Sequence, residues 1–447
     1  MRRPRPRSLA GGAAGIALGV IGGIALTAVT AAAPATAPDA PAIIDAAHVP
    51  PVLTLPGEAV RLRYAIVCAP RRDGAPCDGA GTVFIRRGSG GPFQPYALHR
   101  GEESKDGRYY LDLPRTIASS PDGFSYYAVV RDEATGATAT IPSGSAAAPE
   151  LSLPLRDENA VALGRHLFGA VREPDAAAVH ARWGSATGEV GLAGSRELGF
   201  TGPSAFDVEP DGTVDLLDSV NHRVVRFARR RSTVELGFDP GLGDFAAEPD
   251  GSLDVLDPHG VLHRFRSGGR LAWTQKLADR TWAKLDRGGL VLQEPSEEWA
   301  PVASGGMPLA RDEQRRAARP QRPLANGNGL LLARVGAAEL RLAEVRGSTI
   351  LRSWRITSET PLGEVQLAES VGSGLVVVLR AYTDDRDEFV VLVLGRSGLV
   401  QRFSLSSASR TETAPLARFR LARGSLYRLR TTDDGATVDR FDLEVPQ

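Results

Sequence analysis

Cysteine, lysine and net charge are the three things this chain has little of. Its 447 residues include two cysteines, lysine only at positions 105, 276 and 284, and 53 basic residues against 53 acidic ones. With no net charge, no bulk field draws the chain to nucleic acid or to an anionic surface, so nucleic acid is not an expected partner. The positive charge is nearly all arginine, which reads as coding bias and carries no chemistry of its own. Phosphate-cradling G-x-x-x-x-G-K-S/T is absent, and GSGG (88–91) opens no helical pattern. There is no G-x-S-x-G either, and GRSG (395–398) sits between two apolar runs as an ordinary hairpin. Nucleotide hydrolysis and serine-nucleophile chemistry are therefore not expected.

The first segment reads as an export leader, residues 1–33. Arg2, Arg3, Arg5 and Arg7 form a positive start, and no charge follows until Asp39. Val29-Thr30-Ala31 suits leader cleavage. The alternative is an uncleaved anchor, because the uncharged run exceeds the roughly 20 residues a spanning helix needs. Both readings put the body outside the cytoplasm, secreted or at the cell surface, behind a Pro/Ala linker over 34–49. The two cysteines agree. Cys68 and Cys77 bracket a reversing loop, CAPRRDGAPC, and in an oxidising compartment a local disulfide is expected. A free redox pair or two metal thiolates are the alternatives.

Length points to about two or three domains. Residues 50–150 alternate apolar and polar positions in short runs (GEAVRLRYAIVC, GTVFIRR, GRYYLDLP, GFSYYAVVRD) bounded by turn residues, which predicts an antiparallel sandwich. Tyr109-Tyr110 and Tyr126-Tyr127 are neighbours, and on a strand neighbours face opposite ways. Each pair is read as one core and one surface ring, a ligand-stacking platform being the alternative. The domain looks like an immunoglobulin or fibronectin type III sandwich by pattern.

Beyond SGSAAAPELSLP (143–154) the rhythm changes. EPDGTVDLLDSVNHRVVRF (209–227) is echoed by EPDGSLDVLDPHGVLHRF (248–265), and a period near 40 residues marks a propeller or another stacked array. Tight turns at 210–212, 249–251, 286–289, 326–329, 371–374 and 422–425 each precede an apolar or alternating run. These six turns count six units over 160–447. Gly202-Pro203, Asp211-Gly212, Asp218-Ser219, Asn221, Arg223 and Phe227 resemble the NHL repeat, and the second copy keeps the pattern without Asn and Arg. The resemblance implies a six-bladed β-propeller of four-stranded blades, making the whole chain all-β. Closure of such a ring requires a strand from the far end, and residues 178–184 are expected to supply the outer strand of the last blade.

Asp218, Asn221 and Arg223 are read as loop-shaping residues, because Asp and Asn satisfy nearby backbone groups in tight turns and Arg223 can pair with a carboxylate. His259 and His263 in HGVLH would form a zinc pair on a helix, but here a turn and a strand separate them. No catalytic residue, metal ligand or cofactor is assigned. One constellation stands out: the loops between second and third strands carry Glu297, Glu298, Trp299, Tyr382, Asp384, Asp385, Asp387, Asp433 and Asp434. A ring of carboxylates on one mouth would suit a cationic partner or Ca²⁺; the alternative is ordinary solvated turns. The expected function is non-enzymatic binding of a protein or cell-envelope ligand. The alternative is a metal-assisted lyase or lactone hydrolase, favoured if two histidines and a carboxylate converge on the central channel; a channel of small and apolar residues would favour the platform.

Overall fold

Alternation of large apolar and polar residues governs residues 43–154 of the computed structural model, which describes residues 43–446 apart from 69–78, 102–107, 134–135, 278–280, 295–297, 325 and 413–416. The strands are β1 (Ile43–His48), β2 (Leu53–Thr54), β3 (Arg61–Cys68), β4 (Gly79–Arg87), β5 (Gln94–Ala97), β6 (His99–Arg100), β7 (Arg108–Asp112), β8 (Phe124–Asp132), β9 (Thr138–Ile141) and β10 (Glu150–Pro154), with a short helix α1 (Arg115–Ala118). They form one sheet in the order β1-β3-β7-β6 and another in the order β2-β10-β8-β4-β5, with β9 also on β8. Alternate residues of four strands, including Leu62, Tyr64, Val83, Ile85, Tyr109, Leu111, Phe124 and Tyr126, make one core shared by both sheets. Each tyrosine pair divides accordingly: Tyr109 and Tyr126 are buried, Tyr110 and Tyr127 half-buried. His48 completes this core, stacked on Tyr64 at 4.3 Å and bonded to the Tyr126 hydroxyl at 2.7 Å. Burial lowers its pKa to about 4 against the opposing effect of its bond to the Arg63 carbonyl. It is a neutral core histidine at physiological pH. The side chain of Cys68 and all of Cys77 lie outside the described residues, and so do the leader and residues 34–42 of the expected linker; the end of that stretch is not a linker but strand β1, paired with β3 because Ile43, Asp45, Ala46, Ala47 and His48 find backbone partners there.

A different order rules from Asn159 onward. β11 (Asn159–Ala162) and β12 (Ala176–Arg182) come first, then a hairpin of β13 (Ala193–Ser195) and β14 (Gly199–Thr201). Antiparallel sheets follow in sequence: β15 (Ala205–Val208) to β18 (Ser232–Glu235) through β16 (Val214–Asp218) and β17 (Arg223–Phe227); then β19 (Asp244–Ala247), β20 (Leu253–Leu256), β21 (Val261–Phe265) and β22 (Leu271–Lys276). The third holds β23 (Thr281–Asp286), β24 (Leu290–Glu294) and β25 (Glu298–Pro301), followed by a small hairpin, β26 (Ala303–Ser304) with β27 (Met307–Pro308), and helix α2 (Arg311–Ala317). In the fourth, β28 (Arg322–Pro323), β29 (Gly329–Val335), β30 (Glu339–Arg346) and β31 (Thr349–Thr357) are joined at the outer edge by β11, parallel to β31. The fifth is β32 (Leu362–Val371), β33 (Gly374–Tyr382), β34 (Asp387–Gly395) and β35 (Gly398–Ser406). The last is β36 (Phe419–Ala422), β37 (Ser425–Thr431) and β38 (Gly435–Asp442), with β12 antiparallel to β38.

First strands of successive sheets lie side by side: β15 against β19, β19 against β23, β32 against β36, and β36 back against β15. Arg322 of the fourth sheet spans the remaining gap, pairing with Asp286 of the third and with Glu369 of the fifth at 2.9 Å. The first strands thus surround a common axis, a β-propeller arrangement. Closure uses β12, whose Val179 to Arg182 pair with Val438 to Gly435, as the count of strands requires. Between β11 and β12 the chain crosses the fifth sheet, where His166 meets Glu388 at 2.8 Å and the Arg172 N–H donates to the Ser404 carbonyl.

The two halves share a smaller apolar cluster: Val52, Leu53, Leu153 and Leu155 against Leu331, Ala343 and Val345 of the fourth sheet. Beside it the buried Arg341 pairs with Glu58 at 2.6 Å and donates to the Leu53 carbonyl. Among the described residues no helix is long and apolar enough to cross a membrane.

Candidate functional site

The six turns read from the sequence all join first to second strands, and the first two are built alike. In each, a glycine with positive φ, Gly212 (95°) or Gly251 (78°), follows an aspartate that accepts the N–H two residues on, Thr213 at 2.8 Å or Ser252 at 2.9 Å. Positive φ is what glycine supplies without steric cost. The same repeat sets a pair of carboxyls, the strand aspartate of each fully buried, under one arginine. Arg226 bonds Asp215 at 2.9 Å and Glu209 at 2.5 Å; in the second copy Arg264 bonds Asp254 at 3.1 Å, where Glu248 lies beside it. Burial raises Glu209 to about 7, reinforced by the Asp215 charge and opposed by Arg226. Asp254 likewise rises to about 7 through burial, with Glu248 adding to it. Each pair of carboxyls therefore retains a proton near neutrality, because two crowded carboxylates resist ionising together.

At the far end of the first sheet, Asp218 is fully buried and accepts from four donors. Its oxygens take Gly191 N–H (2.9 Å), Asn221 N–H (3.3 Å), the Asn221 amide (2.8 Å) and Arg223 Nε (3.1 Å). Arg223 also donates to the carbonyls of Ser185, Ala186 and Glu189. The trio ties the incoming 184–191 segment to the sheet. In the second copy Asp257 holds the turn by accepting His259 N–H at 2.9 Å and Val261 N–H at 2.8 Å, and His263 takes the place of the lost arginine at 3.3 Å. His263 is stacked on Phe238 at 3.8 Å while His259 is exposed. The two imidazoles of HGVLH do not converge.

The axis is where the sequence reading missed most. Every first strand sends charge inward: Asp207 from β15, Asp244 from β19, Lys284 and Asp286 from β23, Arg322 from β28, Glu369 from β32 and Arg420 from β36. Asp207 accepts Ala247 N–H from the next sheet at 2.9 Å, and Asp244 accepts Leu285 N–H from the one after at 2.8 Å. Arg420 lies 3.8 Å from Asp207 and 3.6 Å from Asp244 while donating to the Phe206 and Phe245 carbonyls. Arg287 closes on Asp207 at 2.6 Å. Four carboxylates (Asp207, Asp244, Asp286, Glu369) thus meet four cations (Lys284, Arg287, Arg322, Arg420). Burial alone would raise Asp286, but Arg322, Arg420 and Lys284 bring it down to about 2. Lys284 falls to about 8, chiefly through burial and then through Arg420 and Arg322; its ammonium donates to the Gln366 carbonyl at 3.1 Å.

None of the seven histidines (48, 99, 166, 180, 222, 259 and 263) lies on a first strand. Among the described residues, no group of three or more His, Cys, Asp and Glu side chains could hold a metal ion. The axis is neither the histidine-lined channel of one expectation nor the small apolar channel of the other. It is a plug of paired charges.

The candidate acidic face divides. Asp384, Asp385, Asp433 and Asp434 are exposed on the β33–β34 and β37–β38 loops. Asp387 is held by Arg380 at 2.8 Å, Asp433 by Arg410 at 3.3 Å, and Asp385 lies 3.7 Å from Arg386. The Tyr382 ring lies under Arg380 at 5.6 Å. Glu298 is buried on β25 rather than presented on a loop, and the half-buried Trp299 has the Arg322 guanidinium 5.2 Å from its ring. Glu297 lies outside the described residues.

No family model matches this chain, and no curated protein matches it. Among solved structures it is similar to a catalytically inactive virginiamycin B lyase from Staphylococcus aureus with quinupristin, at 11% identity over 55% of this chain and 85% of that one, TM-score 0.31. It is similar also to BamB from Moraxella catarrhalis, at 13% identity over 57% and 86%, TM-score 0.29. A luciferin-regenerating enzyme gives 10% identity over 54% and 92%, TM-score 0.33. These are β-propeller proteins, but at such scores the propeller arrangement rests on the strand pairing and axial contacts of this chain itself.

Proposed function

We propose that the protein is an exported, non-enzymatic interaction protein. Behind a leader (1–33) and a linker (34–49) whose last residues form β1, an immunoglobulin- or fibronectin-like sandwich (50–150, joined by β1) carries a Cys68–Cys77 disulfide and serves as spacer or second module. A divergent, six-bladed NHL-like propeller (160–447) is the platform. The observation that supports this reading is the filled axis: its carboxylates and cations are engaged with one another and with neighbouring strands, as structural ion pairs are, leaving the loops to recognise a partner. Asp384, Asp385, Asp433 and Asp434 give one mouth its exposed negative charge, and Asp387 adds to it; that chemistry suits a cationic protein or cell-envelope ligand.

The test is a pull-down from an extracytoplasmic fraction with the full chain and with Asp384→Lys/Asp385→Lys/Asp387→Lys. Loss of captured partners from a variant with an unchanged melting temperature is expected. An unchanged set of partners would sink the acidic-face reading.

A further inference from the structure

Four arginines are buried among the described residues: Arg223, Arg341, Arg420 and Arg428. Three of them are held, Arg223 by Asp218, Arg341 by Glu58 and Glu339, and Arg420 by the Phe206 and Phe245 carbonyls. Arg428 is not. It is 4% exposed, and its Nε is buried without an acceptor. The carboxylate that acts on it most, Asp439, is taken by Arg430 at 3.1 Å.

The strand register shows where this side chain goes. Phe419, Arg428 and Asp439 are cross-strand neighbours on β36, β37 and β38, so they share one face. Phe419 on that face meets Phe389 of β34 at 5.0 Å. Arg428 therefore enters the seam between the fifth and last sheets, with its guanidinium 6.0 Å from the centre of the Phe389 ring. Arg418, just ahead of β36, lies over the same ring at 4.9 Å and is half-buried. The other acids that act on this pair are engaged elsewhere: Asp387 with Arg380 at 2.8 Å, and the exposed Glu364 with the Gln366 amide at 2.9 Å. Two guanidiniums thus share a seam in which neither has a carboxylate of its own. Burial lowers the Arg428 pKa to about 10, Asp439 opposes this, and Arg430 and Arg418 add to it. Arg418 is lowered too, chiefly by burial.

We propose that this seam binds a small doubly charged oxyanion, phosphate or sulfate, with Arg428 at its floor and Arg418 at its mouth. A water molecule would satisfy the orphan N–H but leave the buried charge uncompensated. An oxyanion does both, because the planar guanidinium presents its N–H groups in a fork that matches adjacent oxygens. Phe389, itself buried, holds both guanidiniums against its ring by cation–π attraction. The depth of Arg428 admits a small ion, and the half-buried Arg418 marks the way in.

Calorimetric titration of the full chain with inorganic phosphate and with sulfate tests this, against chloride at matched ionic strength. Both oxyanions should bind and raise the melting temperature, and chloride should not. Arg418→Gln should weaken phosphate by about tenfold. Arg428→Met should abolish its binding and, in buffer free of oxyanions, melt no lower than the parent, because an apolar side chain then replaces an unpaired buried cation. Should Arg428→Met misfold, Arg418→Gln carries the test. A phosphate monoester of glucose should bind more weakly than the free ion; tighter binding of the ester would overturn a site for a small ion. No binding of phosphate or sulfate, an equal response to chloride, or parent-like affinity in both variants would overturn the proposal.

Discussion

Asp218 shows how one side chain can be worth more than the loop it sits in. Its four donors include the buried guanidinium of Arg223, so Asp218→Ala would strand a buried cation. Removing one partner of such a pair costs about 3–5 kcal/mol, and urea denaturation should show that loss. Asp384→Ala, at an exposed site, should stay within about 0.5 kcal/mol of the parent. Of this site, the part within a few residues was legible: Asp218, Asn221 and Arg223 are neighbours in sequence, and turn chemistry links them. Their partners at 184–191 were not, because nothing local says which distant segment will lie against a loop. The Arg226–Asp215–Glu209 set was equally hidden, since Asp215 and Arg226 meet only through the β16–β17 register.

At the scale of elements, β12 is the strand that turns a row of sheets into a ring. Ala181 on it is fully buried against the first and last sheets. Ala181→Glu, which buries a charge without a partner, should cost at least about 3 kcal/mol, and hydrogen exchange should then show β12 and β38 opening together. If β38 stays protected while β12 exchanges alone, the ring does not depend on this strand for closure. The need for this strand could be read from strand counting, because a ring lacks one strand if its last unit ends early. β11 could not be foreseen: a short parallel strand on an outer edge answers to no periodicity and follows from where the first half is tethered.

For the whole molecule, the repeated carboxyl pairs set a pH dependence. Glu209 and Asp254 hold protons up to about pH 7 in the folded chain, whereas ordinary carboxyls lose theirs near pH 4. Their contribution is therefore fully present below about pH 4 and is lost as pH rises through 7. Melting temperature should fall between pH 5 and pH 8, and Glu209→Gln/Asp254→Asn should flatten that fall; a parent curve that rises over this window would refute it. Asp286, held at about 2, contributes above the usual carboxyl range and loses that contribution as pH falls from about 4 through 2.

Sequence by itself determined the local matters: alternating strands, the tight turns, and a repeat whose aspartates answer to their own loops. These follow from period, turn chemistry and backbone hydrogen bonding within a few residues. Only the tertiary structure decided what fills the axis and how far β11 reaches along β31. Asp207, Asp244, Lys284, Asp286, Arg322, Glu369 and Arg420 come from strands spread over more than two hundred residues, and their pairing exists only once the sheets share an axis. The short reach of β11, which pairs only with Trp354 to Thr357, has the same reason: it is set by where the preceding chain is tethered to β2, and no single stretch of chain encodes that.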